Sequence, residues 1–105
     1  MIDFFGQDEL YMGIAISYFK SGGKESEGTY RYGMKDGNWT YWHEVSGRDI
    51  VESEGTYKLG VRDGFWTYWY PNGEKKEEGD FKLRERVGKW TYYNKDGSLD
   101  VVLQY

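Results

Sequence analysis

Alternate positions in residues 54–59 separate by character. Gly55, Tyr57 and Leu59 fall on one side of an extended chain, and Glu54, Thr56 and Lys58 on the other. The same division recurs twice. Gly28, Tyr30 and Tyr32 oppose Glu27, Thr29 and Arg31, while Gly79, Phe81 and Leu83 oppose Glu78, Asp80 and Lys82. A period of two predicts half-buried antiparallel strands. A second kind of segment follows each. Trp39 and Tyr41 share one side with Thr40 and Trp42 on the other, and Trp66/Tyr68 against Thr67/Trp69 and Trp90/Tyr92 against Thr91/Tyr93 repeat this. These strands carry large rings on both faces. Asp36-Gly37 and Asp63-Gly64 stand between the two kinds of strand, and Asp-Gly is a strong hairpin-turn signal. The chain is therefore expected to hold about eight strands, in hairpins split at those two dipeptides, with a further turn at residues 70–73.

The strands belong to an internal repeat. "KDGNWTYW" at residues 35–42 returns as "RDGFWTYW" at 62–69 and "RVGKWTYY" at 86–93. "EGTY" at 27–30 returns at 54–57 and as "EGDF" at 78–81. Anchored on glycine, the units span residues 13–36, 37–63, 64–87 and 88–105. The outer two are degenerate: Ala15 stands where the others have tryptophan, and Val102-Leu103 replace Glu-Gly. Atypical terminal units suit a stack. The one change of length falls between Trp42 and Gly55, where three extra residues are expected to form a loop. Residues 1–12 fit no unit and are expected to add an edge strand or a short cap. All 105 residues are expected to form one domain.

Composition sharpens this picture. There are 11 tyrosines, 5 tryptophans, 5 phenylalanines and 15 glycines, with few aliphatic residues. Buried area must come from flat rings. Gly28, Gly55 and Gly79 lie inside predicted strands, where glycine otherwise weakens the structure. Bare backbone there would let a neighbouring ring lie across the strand.

The stretch 54–81, "EGTYKLGVRDGFWTYWYPNGEKKEEGDF", resembles the MORN (membrane occupation and recognition nexus) repeat, in the variant form of bacterial proteins associated with toxin–antitoxin pairs. The likeness rests on E-G-x-Y, then D-G-x-W-x-Y-W/Y, then N-G with charged residues. It covers about residues 13–105, and the outer units depart at Ala15 and Val102-Leu103. The resemblance implies an all-β, elongated, twisted sheet of consecutive hairpins and a non-catalytic binding module.

Little chemistry competes with that reading. The only histidine, His43, is expected at the surface beside a turn, and no cysteine exists to bind zinc or act as a nucleophile. Glu27, Glu54 and Glu78 are expected to form a solvated ladder paired across strands with Arg31, Lys58 and Lys82. No catalytic, cofactor-binding or metal-binding residue is expected, and the chain is not expected to be an enzyme. A net charge of −4 argues against a general nucleic-acid surface and against anionic lipid. No apolar run is long enough to span a bilayer, so a cytoplasmic protein is expected.

The candidate site is the second aromatic row, Trp42, Trp69 and Tyr93, with Phe65 at its edge. Two readings of that row stay open: a partner surface, or rings packed on both sides of a single layer under lysine and arginine stems. The favoured function is a protein-binding module, antitoxin- or inhibitor-like, whose partner is a toxin or other enzyme. The alternative is a structural, self-assembling module such as a homodimer. Lipid or carbohydrate binding ranks below both.

Overall fold

The structure, a computed structural model, describes residues 11–105. Its eight strands are β1 (Gly13–Tyr18), β2 (Lys24–Arg31), β3 (Met34–Val45), β4 (Arg48–Lys58), β5 (Val61–Trp69), β6 (Lys75–Lys82), β7 (Glu85–Tyr93) and β8 (Leu99–Gln104). They form one open antiparallel sheet in chain order, each strand bonded to its sequence neighbours. The result is a single layer measuring 47 × 36 × 14 Å. Among the described residues no helix is long and apolar enough to cross a membrane. The expectation for residues 1–12 falls largely outside the described residues. Tyr11 packs its ring against Tyr30, with centroids 6.0 Å apart.

A one-layer sheet has no opposing layer to pack against, so it must bury side chains against its own backbone. The only buried hydrophobic side chains among the described residues are Trp39, Trp66 and Trp90. Each indole lies flat over a strand glycine: Trp39 over Gly28, Trp66 over Gly55 and Trp90 over Gly79. A methyl group at those glycines would sit only 2.1, 2.2 and 2.4 Å from the indole carbons. The expected role of the three glycines is thus seen directly. The indole N–H of each tryptophan donates to the carbonyl of the residue after the glycine, on Thr29, Thr56 and Asp80, at 2.8–2.9 Å. Tyr30, Tyr57 and Phe81 set their rings edge-on against the indoles at 5.1–5.4 Å.

The turns are not where Asp-Gly predicted them. Asp36-Gly37 lies inside β3 and Asp63-Gly64 inside β5. The β2–β3 and β4–β5 turns fall instead at Tyr32-Gly33 and Leu59-Gly60, and the β6–β7 turn at Leu83-Arg84, all at positive φ. Gly37 and Gly64 also have positive φ, near +77° and +76°. They use it to form bulges. Thr29 pairs with Asp36 and Gly28 with Trp39, so Gly37 and Asn38 have no partner on β2. The Thr29 hydroxyl donates to the Asp36 carbonyl, and Thr56 does the same to Asp63. A bulge interrupts the ladder and increases local twist, and the carbonyls of Thr29 and Thr56 receive the indole N–H there. Leu59, expected on the inner face with Tyr57, is consequently an exposed turn residue, as are Tyr32 and Leu83.

The three-residue insertion is not a loop either. It lengthens the β3–β4 hairpin, whose strands run 12 and 11 residues against 8 or 9 in β5–β7. The turn at residues 70–73 is as expected, closed by Tyr70 N–H to the Glu74 carbonyl at 2.8 Å.

Candidate functional site

Strand alternation and pairing register assign every ring to a face. Trp39, Tyr41 and Ser53, with Trp66, Tyr68 and their partners, lie on what we term the indole face. Trp42 (opposite Val51), Trp69 (opposite Lys75) and Tyr93 (opposite Leu99) lie on the other, the outer face. Phe65, opposite Asp80, joins them there. All four candidate residues therefore share one side of the sheet.

Their exposure differs. Phe65 is 54% exposed, whereas Trp42, Trp69 and Tyr93 are half-buried. Charged side chains of the same face lie against Trp42 and Tyr93. The Lys24 ammonium lies 5.5 Å from the Trp42 ring centroid and 2.8 Å from the Glu27 carboxylate. The Tyr93 hydroxyl donates to Glu78 at 3.0 Å, and Lys75 approaches the other oxygen of the same carboxylate at 3.1 Å. The bond to Glu78 raises the Tyr93 phenol above its ordinary range. Trp69, Ile50, Val51 and Glu54 border a shallow outer-face groove. Toward the β1 edge the same face carries Ile14, Ile16 and Tyr18, at 65%, 41% and 58% exposure.

The expected glutamate ladder is corrected in its partners. Glu27 and Glu78 pair with Lys24 and Lys75, three residues earlier, not with Arg31 and Lys82. Glu54 has Val51 at that place and no ion pair among the described residues. The outer face sets the spacing. On it Lys24 reaches both the Trp42 ring and the Glu27 carboxylate, whereas Arg31 belongs to the far end of β2, paired with Met34.

The indole face holds a second repeated element that the sequence reading passed over. Lys35, Arg62 and Arg86 occupy one repeat position, two residues before Gly37, Gly64 and Gly88. Each lays its cation over rings. Lys35 is 5.0–5.3 Å from Trp39, Tyr41 and Tyr57. Arg62 is 5.0 Å from Trp66, and Arg86 is 4.2 Å from Trp90. Such stacking stabilises by about 0.5–2 kcal/mol each and shields the indoles from water. The recurring cation before the bulge glycine was the available signal. Lys35 also donates to the Tyr41 hydroxyl at 2.7 Å, and Arg86 to Glu77 at 2.6 Å. Burial, followed by the bond to Tyr41, pushes the Tyr57 phenol up to about 12. Burial also raises Tyr41 and Tyr68.

His43 is not a free surface residue. It is half-buried, and its Nε2 lies 2.8 Å from the Trp69 carbonyl. Donation there requires a proton on that nitrogen. Tyr70, at the equivalent position, donates to the Tyr93 carbonyl at the same distance. Both side chains tie one hairpin end to the next. A cleft of about 630 Å³ opens beside His43, between the projecting β3–β4 tip and the β1–β2 turn. Among the described residues no group of three histidine or carboxylate side chains is placed to hold a metal ion. The chain matches no protein-family model and no curated protein.

Proposed function

We propose that the chain is a non-catalytic protein-binding module, antitoxin- or inhibitor-like in character, that engages its partner through Trp42, Trp69 and Tyr93 with Phe65 at the margin. The observation that carries this reading is the gathering of these rings on the outer face of a sheet whose described residues form a single layer. Aromatic anchors surrounded by a polar rim are the usual energetic centre of a protein interface. Here Lys24, Glu27, Lys75 and Glu78 supply that rim. The net charge of −4 favours a basic partner surface, such as a catalytic cleft that handles anionic substrates. The resemblance to MORN-type repeats supports a binding role and adds nothing about the partner's identity.

The test is a pair of substitutions. Trp69→Ala should leave the melting temperature close to that of the parent and weaken association at least about tenfold, the effect of losing an anchor ring. Trp66→Ala should destabilise the fold severely, on the order of 3–5 kcal/mol. The partner is to be recovered by affinity capture from the native host and identified by mass spectrometry, then titrated with both variants. If Trp69→Ala melts as early as Trp66→Ala, the row is part of the fold. If it melts normally and binds as tightly as the parent, the interface lies elsewhere.

A further inference from the structure

Strand β8 is built unlike the other strands. Its six residues, Leu99–Gln104, are all exposed. Four are large and apolar: Leu99 at 60%, Val101 at 42%, Val102 at 43% and Leu103 at 42% exposure. Among the described residues, only β7 pairs with it. Edge strands are usually guarded by lysine, proline or a strong bulge. Leu99–Gln104 contains no lysine and no proline, and its register shift is confined to the Leu99 end. Leu103 also stands where Gly28, Gly55 and Gly79 stand in the repeat, opposite Trp90. A leucine side chain occupies the place over which an indole would lie, so a further hairpin strand of the same kind cannot dock on this edge. The position is suited to a different occupant.

The hydrogen-bonding direction of the free edge follows from the register. The Tyr105 N–H donates to the Gly88 carbonyl at 2.9 Å. Leu103 and Val101 therefore direct their backbone groups toward β7, and Val102 and Gln104 direct theirs outward, because bonding alternates along an antiparallel strand.

We propose that a second copy of this chain adds to this edge, β8 against β8, antiparallel about a two-fold axis at Val102. That register satisfies the outward groups of Val102 reciprocally and sets Gln104 of each copy beside Asp100 of the other, the residue that the β7 register skips. It brings Val101 of each copy against Leu103 of the other on the indole face, beside Trp90 and Tyr92. The two Asp100 residues are kept apart, at opposite ends of the paired segment. One surface serves both copies, as a two-fold interface requires. The axis is perpendicular to the sheet, so the two outer faces lie on the same side of one continuous sheet.

The parent chain should sediment as a dimer in analytical ultracentrifugation. Val102→Pro removes an N–H that β7 does not use, so it should give a folded monomer with strand-type circular dichroism. Val102→Cys should link to itself on mild oxidation, because opposed bonded residues sit about 5.5 Å apart between Cα atoms, within disulfide reach. The chain has no other cysteine to confuse the result. Val101→Cys, which faces Leu103 of the other copy, should link far less. Trp69→Ala should remain dimeric, which separates this contact from association through the outer aromatic row. A monomeric parent, a Val102→Pro variant that still dimerises, or equal linking of the two cysteine variants would overturn the proposal.

Discussion

Gly55 lacks a side chain because Trp66 occupies the space that one would fill. The added methyl of Gly55→Ala would meet the Trp66 ring at 2.2 Å. That ring is held from below by the strand, from its edge by Tyr57 and through its N–H by the Thr56 carbonyl. It has nowhere to retreat. Gly55→Ala is therefore expected to lower stability by about 3 kcal/mol, in the range of core overpacking. Gly23→Ala meets nothing within 4 Å and should be close to neutral by thermal melting. Equal shifts for the two variants would show that the indole does not cross Gly55. The neighbouring Thr56, which reads from sequence as a plain polar-face residue, is no neutral control. Its hydroxyl donates to the Asp63 carbonyl across the bulge.

At the scale of the element, three hairpins use two qualities of turn. Tyr32-Gly33 and Leu59-Gly60 place glycine at the second left-handed position, with φ near +77° and +85°. The β6–β7 turn has Arg84 there, at φ +71°, after Leu83 at +52°. Two consecutive positive φ values are what a type I′ turn needs, and a side chain with a β-carbon resists them. Arg84→Gly should relieve that strain, offset in part by the greater freedom of glycine in the unfolded chain. The expected net gain is about 1 kcal/mol, read as a raised melting temperature with an unchanged denaturant slope. A loss of stability would mean that the Arg84 side chain supplies a contact worth more than the strain. The same element shows why sequence misplaced the turns. Asp-Gly favours positive φ, and both a hairpin turn and a bulge demand it. Local chemistry at Asp36-Gly37 suits either outcome. The long-range pairing of Gly28 with Trp39 chooses the bulge, because only that register brings the indole over bare backbone.

Over the whole molecule, the indole face behaves as one array of rings, cations and phenols. Tyr57 titrates near 12, and Tyr41 and Tyr68 are also raised, chiefly by burial. An unfolded tyrosine ionises near about 10. Above that pH the unfolded chain releases phenolic protons that the folded chain still holds, so folding loses free energy as pH rises. The stability from these groups is fully present below about pH 10 and is lost as pH climbs toward the folded value near 12 for Tyr57. Melting temperature should fall across that window, and Tyr57→Phe should fall less steeply than the parent. Parallel curves for the two would remove Tyr57 from this account.

The sequence by itself determined the strand class, the repeat, the role of the three strand glycines as bare backbone under a neighbouring ring, and the split of rings between two faces. Each of these depends on short-range alternation or on identity recurring at a fixed interval, and both are written in one dimension. It also carried the signal for the cation row of Lys35, Arg62 and Arg86, which recurs as strictly as the tryptophans. Tertiary structure alone decided where the chain turns and that the insertion after Trp42 extends two strands rather than forming a loop. It also decided that Glu27 and Glu78 choose Lys24 and Lys75, and that His43 reaches the Trp69 carbonyl. These outcomes depend on register between strands. Register is settled by the fit of an indole onto a glycine one strand away, a contact that no single segment contains.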